Sequence, residues 1–357
     1  MQTFPQPETP LSAQPQISKL NNFDLLRLIC AFAVFVFHIN TLTGEFESIN
    51  RAIVLLSGSA VHIFFIMSGF LIFMSFERSK SLKEYTIKRV RRIYPAYCLI
   101  ILLAAIGGVF ISTLAWSQYF TDPALFRYLG FNLSFLNFGQ LTLPGVFTEN
   151  LKPIVNGSLW TIRSEVVYYA LTPVFVYLYR RTNKLLVFSG VYLFSVVYTE
   201  GLRLVSHLTG DLLFYKLAIQ FPGQLSYFIC GAFLYYYIEF FRKHTNKFLL
   251  VAVPLYVVSF FLQIRPLQPI CLAIIVFYIV FQLPYISGSI SKFGDLSYGI
   301  YIFHYPLIQL LYPYFKANPY LAFGYATVLL LVTSYSCWHL IEKPFLSQKS
   351  HYRLRSG

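Results

Sequence analysis

The sequence predicts an all-α integral membrane protein, a bundle of about ten transmembrane helices with both termini cytoplasmic. Three observations carry that expectation. Of 357 residues, 57% are hydrophobic and 12% charged, where a soluble globular domain has about 25% charged. Apolar runs of the length needed to cross the hydrocarbon, about 20 residues of helix, recur along the chain. With the N-terminus inside, most Lys and Arg outside these runs fall on the cytoplasmic side, so positive-inside bias accounts for the formal net charge of +14. That placement argues against nucleic acid as a partner and for membrane lipid.

Residues 1–20 are rich in Pro and Gln, lack the apolar core of a signal peptide, and read as a disordered cytoplasmic tail. A single membrane domain is expected over 21–345, with spans near 24–42, 53–75, 94–113, 158–179, 185–204, 214–240, 248–264, 268–286, 295–315 and 321–341. The largest inner insertion, ERSKSLKEYTIKRVRRIYP at 77–95, is strongly basic, and Pro95 is taken as the start of the third span. The long outer loop, 114–157, mixes aromatic residues with Pro and Gly and is expected to be partly ordered over the bundle. A short basic cytoplasmic tail, 346–357, closes the chain. The five cysteines lie far apart in apolar spans and read as small buried hydrophobes. The histidines are scattered with no metal-ligand spacing, so no metal is expected.

The first span contains the most informative pair. Arg27 and His38 are eleven residues apart, about three turns, so they share one stripe of a helix roughly 16 Å apart along its axis. Asp24 lies one turn before Arg27 and can pair with it. Arg27 alone is equally well read as a headgroup anchor. An ionisable side chain well inside a span is costly unless it faces protein or a watery cavity, so His38 reads as functional, with a packed histidine as the bland alternative.

Other stretches extend the pattern: GSAVHIFFIMSGFLIF at 58–73, KRVRRIYPAY at 88–97, NGSLWTIRSEVVYYALTP at 156–173, GDLSYGIYIFHYPL at 294–307 and IEKPF at 341–345. In this order, with the Arg27 and His38 pair, they resemble the acyltransferase type 3 family of integral membrane O-acyltransferases. The resemblance covers nearly the whole chain after residue 20. It departs at Lys88, where the family's basic motif usually has arginine, which keeps the charge but loses the guanidinium fork.

The resemblance implies transfer of an acyl group, usually acetyl, from cytoplasmic acyl-CoA to a hydroxyl of a surface glycan or lipid-linked sugar. It also implies a place in the bacterial inner membrane, with lipopolysaccharide among the acceptors. The residues suit that chemistry. A sugar hydroxyl needs a base before it attacks, and His38 can accept the proton or carry the acetyl group itself. Glu165, two turns into the fourth span, can orient His38 or bind acceptor hydroxyls, and equally can pair with Arg163.

Lys88, Arg89 and Arg92 can hold the phosphates of the acetyl-CoA donor, with Arg27 reaching its pantetheine or pyrophosphate and Ser68 letting backbone approach it. Trp160 and His304 are candidates for the acceptor side. No appended extracytoplasmic domain is seen, so a separate partner outside can be needed to finish transfer. The alternative is a transporter or flippase with the same buried groups as relays, which predicts repeated halves that the sequence does not display.

Overall fold

The structure, a computed structural model, describes residues 21–46, 50–288 and 292–347, without the side chains of residues 50–56. The expected tail at 1–20 and all but the first two residues of the tail at 346–357 lie outside the described residues. Among the described residues every regular element is helical. In chain order these are α1 (Phe23–Thr43), α2 (Asn50–Glu77), α3 (Leu82–Gly107), α4 (Trp116–Thr121), α5 (Pro123–Leu133), α6 (Trp160–Arg181), α7 (Lys184–Thr209) and α8 (Leu212–Ala218). Then follow α9 (Phe221–Tyr236), α10 (Ile238–Phe261), α11 (Gln268–Phe281), α12 (Leu296–Leu310), α13 (Tyr312–Ala317) and α14 (Pro319–Cys337), the last leading into a π-helical turn, Trp338–Glu342.

Among the described residues, seven stretches are long and apolar enough to cross a membrane: Phe23–Thr43, Ser57–Glu77, Leu82–Phe110, Lys184–Thr209, Leu212–Tyr236, Ile238–Phe261 and Pro319–Phe345. Arg265–Phe281 is a shorter apolar helix. Two further sequence-expected spans correspond to α6 and α12. The first carries Arg163 and Glu165, and the second has 15 residues, about 22 Å of helix against a core of about 30 Å. Eleven of the 15 residues of α12 are buried, so this helix meets protein on most sides. By contrast α7 and α10 are largely exposed and apolar, with Leu250 at 77% and Leu208 at 73%. Water would penalise such surfaces and lipid would not. The chain is a multi-pass membrane protein.

One boundary differs from the sequence reading. Helix α3 begins at Leu82 and runs straight through Pro95, which is therefore interior and not the start. The cause is local: the Ser81 hydroxyl accepts the Glu84 N–H at 3.1 Å while the Glu84 carboxylate accepts the Lys80 N–H at 2.8 Å. This Ser-x-x-Glu pattern satisfies two orphan donors and fixes an earlier start.

The chain divides into two compact units. The first is Met1–Leu26, Val61–Ile87 and Ser164–Gly288, and the second is Arg27–Ala60, Lys88–Arg163 and Ser289–Gly357. In the first, α2 and α9 cross at glycines. A Cβ on Gly69 would stand 1.9 Å from the Phe228 carbonyl oxygen, and one on Gly231 would stand 1.9 Å from that of Ile66. Tyr168 stacks on Phe228 beside this crossing, with centroids 4.4 Å apart. Small residues allow the close backbone approach on which helix association in lipid depends. Gly69→Leu is therefore expected to destabilise by at least the 1–3 kcal/mol typical of overpacking, about that per site. Gly190→Ala, with open space around its Cβ, should be near neutral; melting of the detergent-solubilised protein compares them.

In the second unit the segment 114–157 packs onto α12. Asn156 Nδ2 donates to the Ile302 carbonyl at 2.9 Å, Asn150 Nδ2 to that of Gln309 at 2.9 Å, and Gln309 Nε2 to those of Lys152 and Ile154 at 2.6 Å each. Segment 114–157 is thus ordered by side-chain amides that satisfy backbone groups no regular structure uses.

Candidate active site

Two histidines meet in the second unit. His38 projects from α1 and is half-buried; His304 projects from α12 and is fully buried. Nε2 of His304 lies 3.0 Å from Nδ1 of His38, with ring centroids 4.9 Å apart. Each ring also places Nδ1 against the carbonyl one turn earlier in its own helix, Val34 at 3.0 Å for His38 and Ile300 at 3.1 Å for His304.

The partners assign the protons. A carbonyl only accepts, so both Nδ1 atoms carry hydrogen. Nε2 of neutral His304 is then an acceptor, taking a shared hydrogen from Nδ1 of His38. Nε2 of His38 is left with a lone pair, at the ring edge away from both partners. The Tyr305 ring, 5.3 Å from that of His38, flanks it.

This arrangement changes the reading of His304. It was expected on the acceptor side, but it is fully buried and both its ring nitrogens are engaged. It has no atom left to offer a sugar. It stands behind His38, hydrogen-bonded to its Nδ1.

Toward the start of α1 a buried ionic cluster joins four segments: α1, α3, the N-cap of α12 and the π-helical turn. Asp295 Oδ2 accepts from Arg27 Nη1 at 3.1 Å and from Arg92 Nη2 at 2.5 Å, while Arg92 Nη1 donates to Glu342 Oε2 at 2.8 Å. The side chains of Asp295, Glu342 and Arg92 are 5%, 2% and 8% exposed. Asp295 occupies the N-cap position of α12 without capping it; its other oxygen takes the Ser297 hydroxyl. Gly294, at φ +97°, precedes it because a side chain would strike the Trp338 indole. The π-helical turn carries Glu342, and such turns recur at functional sites. Helix α1 is thus tied to α12 and its N-cap at two levels, Arg27 to Asp295 and His38 to His304.

The basic motif is split by this cluster. Both terminal nitrogens of Arg92 are engaged by carboxylates, so its fork is not open to phosphate as the sequence reading had it. Lys88 and Arg89 are half-buried and Arg91 exposed. Since α3 starts at Leu82, these residues lie within the helix, and no helix N-terminus adds its field beside them.

Trp160, also in the second unit, is half-buried at the first residue of α6, next to Thr161, whose hydroxyl meets that of Tyr301 at 2.7 Å. Ser68 and Glu165 come together in the first unit. The Ser68 hydroxyl donates to Glu165 Oε1 at 3.1 Å, and Tyr169 donates to the same oxygen at 2.8 Å. Sequence reasoning gave Asp295 and Glu342 no role. The signal was present: with only 14 acidic residues in the chain, two stand inside the quoted closing motifs.

The model of an acyltransferase domain family matches residues 20–341. The chain belongs to this acyltransferase family. The acyltransferase is 26% identical over 338 residues to an O-acetyl transferase of Shigella phage Sf6, covering 93% of this chain and 98% of the relative. It is 28% identical over 172 residues to nodulation protein 10 of Rhizobium leguminosarum bv. viciae, covering 46% of each. No solved structure matches the acyltransferase.

Proposed function

We propose that this membrane acyltransferase moves an acetyl group from cytoplasmic acetyl-CoA to a hydroxyl of a cell-surface glycan, such as a lipopolysaccharide O-antigen, at the outer side of the bacterial inner membrane. All ten expected helices cross in this reading, including α6, α11 and α12, and both termini are cytoplasmic. The likeness to a phage O-acetyl transferase supports the reaction class. The observation that carries the chemistry is the His38 and His304 pair, which leaves a basic Nε2 on the half-buried ring.

Nε2 of His38 takes the proton from the acceptor hydroxyl as its oxygen attacks the thioester carbonyl carbon. The C–O bond forms, the C–S bond breaks, and the imidazolium returns its proton to the leaving CoA thiolate. Through Nδ1–H, His304 holds the ring in the required tautomer, and it accepts a stronger hydrogen bond once His38 is charged. An acetyl-histidine route would use the same atom, with attack by Nε2 first.

Donor phosphates are held by Lys88 and Arg89, while Arg92 and Arg27 fix the framework through Asp295 and Glu342. Glu165, with Ser68 and Tyr169, orients acceptor hydroxyls, and Trp160 offers a face on which a sugar can stack. No metal takes part, and a separate extracytoplasmic partner can receive or present the glycan.

Membranes from cells carrying the gene, supplied with radiolabelled acetyl-CoA, should put alkali-labile label into surface polysaccharide. The absence of ester label in the presence of the expressed protein would refute the proposal. Within that assay, Lys88→Ala with Arg89→Ala should raise KM for acetyl-CoA about tenfold or more, since charge-assisted hydrogen bonds contribute about 1.5–3 kcal/mol each. The parent KM should rise with salt as those contacts are screened. His304→Leu should lower kcat about tenfold to a hundredfold and shift the pH profile of kcat/KM. His304→Gln, whose amide oxygen can accept the Nδ1 hydrogen of His38, should recover part of the loss.

A further inference from the structure

In the first unit, the end of α7, the start of α8 and the turn between α10 and α11 enclose a polar pocket of about 430 Å³. Glu200, Arg203, Ser206, His207, Tyr215 and Arg265 stand on its wall. Arg203 lies over the Tyr215 ring at 5.7 Å, and its Nε is buried with no hydrogen-bond partner. Arg265 meets Glu200 only loosely, at 3.6 Å. The pocket thus sets two guanidinium groups against one carboxylate, with a buried donor left unused. A buried unpaired donor is costly, and an anion would remove that cost.

An apolar cavity of about 370 Å³ lies further back along α7, with Tyr192, Leu193, Cys230, Phe233 and Ile270 among its walls. The two spaces are joined through one contact: the Tyr192 hydroxyl, on the apolar side, donates to the carbonyl of Pro266, next to Arg265. Around them α7 exposes Leu193, Val197 and Leu204 at 59%, 69% and 59%, a surface suited to lipid and not to water. A cationic pocket beside an apolar slot on a lipid-facing helix matches one chemistry, a phosphate ester carried on a hydrocarbon chain.

We propose that Arg203 and Arg265 clasp the phosphate of a membrane lipid whose chain lies in the cavity of Tyr192, Phe233 and Ile270. Arginine suits this because its planar fork meets phosphate oxygens two at a time. The site belongs to the first unit alone and does not depend on the transfer reaction proposed above.

Native mass spectrometry of the full chain in detergent, titrated with phosphatidylglycerol, tests it. The parent should carry a saturable lipid adduct. Arg203→Gln and Arg265→Gln should each weaken it tenfold or more, Arg203→Lys should retain most of it, and Lys184→Gln at the other end of α7 should change nothing. Equal adducts in the parent and both Gln variants would overturn the proposal. So would diacylglycerol, which has the chains without the phosphate, binding as well as phosphatidylglycerol. Inorganic phosphate displacing the lipid at matched concentration would overturn the role of the chain.

Discussion

His38→Asn is expected to lower acetyl transfer by about a hundredfold to ten-thousandfold, the usual contribution of a positioned base, while the protein still folds. Asparagine is chosen because its amide nitrogen can still donate to Nε2 of His304, which otherwise loses its partner in a fully buried place. Leaving that nitrogen unsatisfied would cost about 1–3 kcal/mol, so His38→Ala confounds catalysis with stability. Asparagine also lacks any nitrogen that can take a proton at neutral pH. The comparison is kcat in membranes normalised to folded protein, judged by a melting curve in detergent. If His38→Asn melts like the parent and retains kcat within threefold, His38 is not the base. A route through acetyl-histidine makes the same prediction and is separated from direct transfer by trapping: a labelled, acid-labile adduct on the parent, missing from His38→Asn, identifies the covalent path.

The helical, membrane-spanning architecture was legible because its cause is composition and period, which a chain displays residue by residue. Arg27 and His38 were legible for a related reason: charge and imidazole stand out against an apolar run, and helix geometry alone puts them on one stripe. The partners were not. Asp295 lies 268 residues from Arg27, and His304 lies 266 from His38, and no local pattern encodes pairing at such separations. His304 was noticed as a residue, yet its direction depends on which helix stands beside α12. The partners of Arg92 were hidden for the opposite reason: a basic run ahead of a proline looks like a uniform cluster, and only the fold shows one of its arginines turned inward onto two carboxylates. The start of α3 was readable from the Ser81 and Glu84 pattern, but Pro95 gave a louder and misleading signal.

Asp295→Asn should be strongly destabilising, because one oxygen of this carboxylate serves Arg27 and Arg92 together. Removing a buried partner leaves charge uncompensated, typically about 3–5 kcal/mol. Here two guanidinium groups would face each other with only Glu342 to balance them. Glu342→Gln should cost less, since Asp295 still holds Arg92 and one Glu342 oxygen, Oε1, already lacks a partner. The decisive variant is the double change Asp295→Asn with Arg27→Gln. It leaves one arginine with one carboxylate, Arg92 with Glu342, and restores local neutrality. It should therefore melt above Asp295→Asn alone, although Arg27→Gln by itself, which leaves two buried carboxylates facing one guanidinium, is expected to be destabilising too. Additive losses in the double variant, measured as melting temperature and yield of monodisperse protein, would mean that the three side chains do not act as one ionic unit. Recovery would identify the cluster as the clamp that ties the start of α1 to the N-cap of α12 and so keeps His38 in line with His304.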